Sequence, residues 1–184
     1  MGPLDLQDFY FEHKKQQAEA MKNSAQVILD VAKEWKEMTG RSYDMLDEYC
    51  MEDAEIAIVA IGSAAGTAKV AVDALRAKGV KAGLVKVRVF RPFPKEEIAK
   101  ALAKTKAVAI MDRTESFADF GGPLFRDIRA SLYEYDLRPK TVSYVYGLGG
   151  RDVTLDTINQ VYADLERLVK GEQIPMLNHL GVRE

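Results

Sequence analysis

The chain has 184 residues, enough for one domain of about 100–150 residues with an appendage. Its 47% hydrophobic and 29% charged residues are ordinary for a globular protein, and a net charge of -2 offers no basic excess for nucleic acid. One cysteine, Cys50, excludes an internal disulfide and a multi-thiolate cluster. With only His13 and His179 besides, a dedicated metal site is not expected. No apolar run reaches the length of a membrane span. The opening Met1-Gly2-Pro3-Leu4-Asp5 does not read as a signal peptide, and Leu6 does not fit an acylation signal, so a cytoplasmic protein is the default expectation.

Residues 6–39 read as one long helix. Met21, Ala25, Ile28, Ala32 and Trp35 recur at helical steps, and Gly40 stops the run. Its first half is polar after Phe9, Tyr10 and Phe11, so it is expected to reach beyond the domain body, either as a docking element or as a solvated extension. Residues 43–49 suit a short edge strand. Residues 54–61 are almost continuously apolar, as in a strand covered on both faces. Further strands are expected at 82–90, 106–111 and 140–146, with helices at 65–78, 94–104, 123–135 and 154–170 between and after them. This alternation implies parallel pairing with right-handed crossovers. The expected organisation is a linker or docking helix over 1–41, an α/β body over 42–171 and a tail over 172–184, with Ile174, Pro175, Met176 and Leu177 suggesting that the tail docks somewhere.

Four turns at the carboxyl ends of these strands carry the residues of interest. Gly62-Ser63-Ala64-Ala65-Gly66-Thr67 is a glycine-rich strand-to-helix turn. It is either an anion site on free N–H groups or a tight turn capped by Ser63. Its spacing matches neither the dinucleotide fingerprint nor a P-loop. Arg91, before Pro92-Phe93-Pro94, either binds an anion or pairs with an acid such as Asp112 or Glu115. Asp112-Arg113-Thr114-Glu115 could be read as an acid–base pair, but no histidine, cysteine or metal set is expected beside it, which favours a structural network. Gly147-Leu148-Gly149-Gly150-Arg151-Asp152 requires left-handed or closely approached backbone, and Thr154 suits the cap of the last helix. The candidate anion or interface residues are Gly62, Ser63, Gly66, Thr67, Arg91, Arg113, Gly149, Gly150 and Arg151, with the arginine fork of Arg151 expected to face outward.

Taken together, these stretches resemble the second core domain of the pyruvate and related 2-oxoacid:ferredoxin oxidoreductases. The resemblance lies in Gly62 to Lys69, in Arg91-Pro92-Phe93-Pro94, in Asp112 to Ser116 with Gly121-Gly122-Pro123-Leu124-Phe125, and most specifically in Gly147 to Thr154. Met1-Gly2-Pro3 and the long helix look like the linker into that domain. The resemblance implies a fold similar to the transketolase carboxyl-terminal domain: three α/β/α layers around a mostly parallel five-stranded sheet with one antiparallel edge strand. It implies an enzyme that decarboxylates a 2-oxoacid, closest to the pyruvate and branched-chain branches, and forms acyl-CoA. That enzyme uses thiamine diphosphate, Mg and iron–sulfur clusters.

The family's upstream pyrimidine-binding domain, its Gly-Asp-Gly diphosphate motif and its cluster cysteines have no counterpart in these 184 residues. No catalytic residue is therefore carried over. The chain reads as a split subunit or an excised domain, whose cofactors sit on pyrimidine-binding, thiamine-diphosphate-binding and ferredoxin-like partners, with a homodimer also open. Two competing readings are a stand-alone anion- or nucleotide-binding module, and the dimerisation domain of a transketolase or 2-oxoacid dehydrogenase.

Overall fold

The apolar run is the centre of the molecule. In the computed structural model, which describes residues 4–183, Ile56–Ile61 forms strand β2, and its first five residues are all buried. Strand β3 (Ala82–Val87) lies parallel on one side of it and β4 (Ala107–Asp112) parallel on the other. Strand β1 (Leu46–Tyr49) pairs antiparallel with β3, while β5 (Lys140–Val145) continues the sheet parallel to β4. Register places Ile58 beside Leu84 and Ala109, and Val59 beside Val85 and Ile110. Adjacent residues of one strand thus feed opposite faces, and each face needs its own helical cover.

Helices α2 (Ala64–Arg76) and α5 (Leu155–Val169) cover the Ile58 face. Helices α3 (Lys95–Leu102) and α4 (Pro123–Glu134) cover the Val59 face. One polar pin crosses the first layer: buried Tyr162 of α5 donates its hydroxyl to Gly83 O at 2.8 Å. Burial drives that hydroxyl well above the ordinary tyrosine range, so it stays a donor.

A sixth strand, β6 (Leu177–His179), adds parallel to β5, and the order is β1-β3-β2-β4-β5-β6. The five strands expected from sequence are thus joined by one from the tail. Three residues, two of them polar, show no strand period. What makes the strand is backbone pairing, with Ser143 N–H donating to Met176 O and Leu180 N–H donating to Val145 O, both at 2.8 Å.

Helix α1 (Tyr10–Thr39) ends at Gly40, whose N–H returns to Lys36 O at 2.8 Å. The helix is about 45 Å long at 1.5 Å per residue. Ala25, Ile28 and Leu29 pack against the Val59-side core and Ala32 is buried, whereas Met21 and Trp35, the ends of the expected stripe, stay exposed. Every residue from Tyr10 to Asn23 is exposed. Met1-Gly2-Pro3 lies outside the described residues. Among the described residues no helix is long and apolar enough to cross a membrane.

Thr154 caps α5 reciprocally: its side chain accepts from Thr157 N–H, and the Thr157 hydroxyl oxygen accepts from Thr154 N–H. Thr154→Ala is expected to cost about 1 kcal/mol, read as a lower urea midpoint at unchanged slope.

Candidate functional site

The chain leaves β2 for β3 on one side and β4 lies on the other, so the strand order reverses between β2 and β4. Open α/β sheets place their crevice at such a point, outside the strand carboxyl ends. A cleft of about 660 Å³ lies there. The β2 turn contributes Gly62, Ser63 and Thr67; the β4 turn contributes Arg113 and Thr114; and the turn after β5 contributes Gly150, Arg151 and Asp152. Two loops far apart in sequence thus form walls of one cleft. Phe90, Met111, Leu124, Tyr146 and Val153 supply an apolar floor. Sequence does not mark them, because an apolar residue near the end of a strand or helix looks the same whether it faces a core or a cleft.

Three helices begin around the cleft, and their amino ends differ. Asp112 occupies the start of α4: its two carboxylate oxygens accept from Leu124 and Phe125 N–H at 2.9 and 3.0 Å. Burial raises its pKa above the usual aspartate value, partly opposed by those two hydrogen bonds. Thr154 occupies the start of α5. The start of α2 has neither device. Ser63 does not cap it through its side chain, contrary to the capping alternative, and the first turn carries no acid. Ser63 sits in helical backbone, which points its hydroxyl away from the capping geometry of an extended residue. Gly62 makes the turn with φ 78°, a left-handed conformation in which a side chain is strained.

The arginines divide. Arg113 Nε donates to Gly147 O at 3.1 Å, which ties the β4 turn to the β5 turn at the cleft wall. Arg151 donates through Nη1 to Gly181 O, so its fork is engaged by the tail rather than presented freely. Arg91 does not line the cleft. It pairs with Asp127 at 2.8 Å, not with Asp112 or Glu115, and its guanidinium lies 4.0 Å from the Phe90 ring centre. Asp127 stands just past the first turn of α4, a helix-face neighbour that loop spacing does not reveal. Gly66 lies within the first turn of α2, and Gly149 lies in the turn Leu148–Gly150 without lining the cleft.

Glu115 is engaged twice. It accepts from Phe117 N–H at 2.8 Å and sits 2.7 Å from His179 Nε2 on β6. These contacts hold its pKa below the usual glutamate value, with the His179 hydrogen bond the largest cause. Phe117, 94% exposed, stands at φ 52° on the same loop. Asp112 thus caps a helix and Glu115 ties a loop, but a histidine does stand beside Glu115, contrary to the expectation, because His179 reaches it from a strand 64 residues further along the chain. Among the described residues no group of three or more histidines, cysteines or acids gathers as a metal site.

The description "Pyruvate:ferredoxin oxidoreductase core domain II" matches residues 54–158, more than half of the chain. The chain belongs to this family. The match begins at β2 and ends in α5, so this core domain II contains both glycine turns and the whole cleft. Pyruvate synthase subunit PorA of Thermotoga maritima is 46% identical over all of this chain and 46% of its own length. The alpha subunit of NADH-dependent phenylglyoxylate dehydrogenase of Aromatoleum evansii is 37% identical over 90% of this chain and 40% of its own. Ketoisovalerate oxidoreductase subunit VorA of Pyrococcus horikoshii is 38% identical over 95% and 44%. The chain thus spans a little under half the length of these relatives.

Two solved structures share the fold of core domain II. One is a 2-oxoglutarate:ferredoxin oxidoreductase from Magnetococcus marinus with 2-oxoglutarate, coenzyme A and succinyl-CoA bound. It has TM-score 0.53 and 22% identity, covering 66% of this chain and 20% of that one. The other is a split-gene transketolase in an inactive β4 tetramer, with TM-score 0.52 and 18% identity, covering 72% and 44%.

Proposed function

We propose that this chain is a non-catalytic structural and assembly domain of a thiamine-diphosphate-dependent 2-oxoacid:ferredoxin oxidoreductase, with pyruvate as the substrate of the whole enzyme. The observation that carries this reading is the full-length 46% identity to a pyruvate synthase subunit. The composition of the chain supports the division of labour. One cysteine cannot ligate an iron–sulfur cluster, and no Gly-Asp-Gly run offers a diphosphate–metal site, so the residues here do not fit those groups. Thiamine diphosphate, Mg, clusters and coenzyme A then belong to partner domains or chains, in the cytoplasm. On this reading residues 1–41 dock, 42–171 form the body, and the cleft between the glycine turns receives a neighbouring domain. The open start of α2 beside Arg113 and Arg151 favours a second reading, an anion-binding module.

One experiment addresses both. A tagged chain purified without oxygen from its own cells is expected to bring down partner chains that carry thiamine diphosphate and clusters, with pyruvate- and coenzyme-A-dependent dye reduction. The isolated chain is expected to be colourless and inactive, and to bind phosphate no tighter than millimolar. A chain that purifies alone and binds phosphate or coenzyme A at micromolar concentration, with binding lost in Arg113→Ala, overturns the assembly reading in favour of the module.

A further inference from the structure

Helix α1 has two apolar faces, and its own domain uses one. Laid out at 3.6 residues per turn, Ala25, Ile28 and Leu29, which pack on the core, share one face with the buried Ala32. Val27, Val31 and Met38 form a second stripe about a third of a turn away, with exposures of 59%, 57% and 80%, and Trp35, 44% exposed, lies on the border between the two. All five acids of the helix, Glu12, Glu19, Asp30, Glu34 and Glu37, fall on one exposed ridge along the outer flank of that stripe. A helix that is apolar on two sides is built to lie between two bodies.

We infer that this stripe and its acidic ridge seat a second globular protein body, one that presents an apolar strip bordered by lysine or arginine. The inference rests on the assembly reading above and names its contact. The occupant is the part of the family's alpha-type chain that lies outside the segment matched here. Full coverage of this chain accounts for only 46% of the Thermotoga relative, so that relative holds another body of comparable size.

A second copy of this chain fits worse. The stripe runs about 16 Å from Val27 to Met38 at 1.5 Å per residue, short for a standard interface of about 800 Å² per partner. An antiparallel two-fold pair keeps the ridge on the same side in both copies, acid against acid. A parallel pair brings each ridge against the flank where the copy's own domain sits. A separate basic-rimmed body has neither conflict, and it can also cover the exposed half from Tyr10 to Asn23.

Oxidative footprinting with mass spectrometry tests this, because Trp35 is the single tryptophan and Met38 is open to label. In the isolated chain both should label rapidly and the chain should sediment as a monomer. In the assembled oxidoreductase both should label at least tenfold more slowly. Val31→Asp should leave the melting midpoint of the isolated chain within about 2 °C, since the position is exposed. It should reduce recovery of partner chains at least tenfold, and Asp30→Lys with Glu34→Lys should do the same through the ridge. Equal labelling of Trp35 in the isolated chain and in the assembly overturns the seat while leaving the assembly reading intact. Protection that arises in the isolated chain with dimer formation overturns it in favour of a second copy. If wild type recovers no partner chains, both readings fail together.

Discussion

Gly122→Ala is expected to remove about 3–5 kcal/mol of stability, a large part of the roughly 5–15 kcal/mol of an ordinary domain. A single added carbon does this because of what it meets. A Cβ on Gly122 would stand 2.3 Å from Asp112 Cγ and 2.5 Å from its Oδ2. Asp112 is 5% exposed and has no room to swing aside without releasing the amino end of α4. Overpacking costs about 1–3 kcal/mol, and each buried hydrogen-bonding group left unpaired adds about 1–3 kcal/mol. The control is Gly66→Ala, where nothing lies within 4 Å of the new carbon. There the helix should gain about 0.5–1 kcal/mol. Urea midpoints should therefore move in opposite directions for the two glycines, and a Gly122→Ala loss below 1 kcal/mol would show that Asp112 is free to move.

The same carboxyl gives a pH signature. Its native pKa is raised above the unfolded value, with burial as the main cause. The native state then holds that proton more tightly than the unfolded chain does. Its contribution is complete below the ordinary aspartate value of 3.8 and is lost as pH rises through the raised native value. Carboxylates with lowered pKa, such as Asp47 and Glu115, act in the opposite sense, so the difference between wild type and Asp112→Asn isolates the term. That difference should fall with rising pH across the window.

Where a residue's neighbours lie within its own element, the sequence was readable. The unbroken apolar run marked β2 as central, and the glycine turns marked the edge on which the cleft opens. Misreadings arose where partners come from elsewhere in the chain. Arg91 forms the ion pair that was one of its two expected roles, but with Asp127 on a helix rather than with an acid such as Asp112 or Glu115. Arg151, expected to present its fork outward, donates instead to Gly181 O in a tail with no strand period. Helical spacing found one stripe from Met21 to Trp35. It could not show that the domain body meets only the middle of that stripe, nor that a second stripe faces outward. Periodicity reports that a face exists; which body covers it depends on tertiary placement.

Ending the chain at Gly171 should be the second large perturbation, because the tail does two separable jobs. Leu180 is 7% exposed within the core cluster beneath α2 and α5, and losing such a side chain costs about 2–5 kcal/mol. Removing β6 also leaves Ser143 N–H and Val145 O on a bare strand edge, which favours association between chains. The other job lies at the cleft. His179 holds Glu115, and Arg151 holds Gly181, so one segment ties down the loops after β4 and β5 together. Truncation should lower the urea midpoint and speed amide exchange at residues 114–121. Two point variants divide these outcomes. Leu180→Ala should reproduce most of the stability loss with the loop still protected. His179→Ala should loosen the loop, starting with Phe117 N–H, while the midpoint barely moves, since the pair is exposed and such contacts contribute little globally. If His179→Ala leaves exchange at Phe117 unchanged, the tail supports the sheet alone and the cleft walls are held by Arg113 and Gly147 without it.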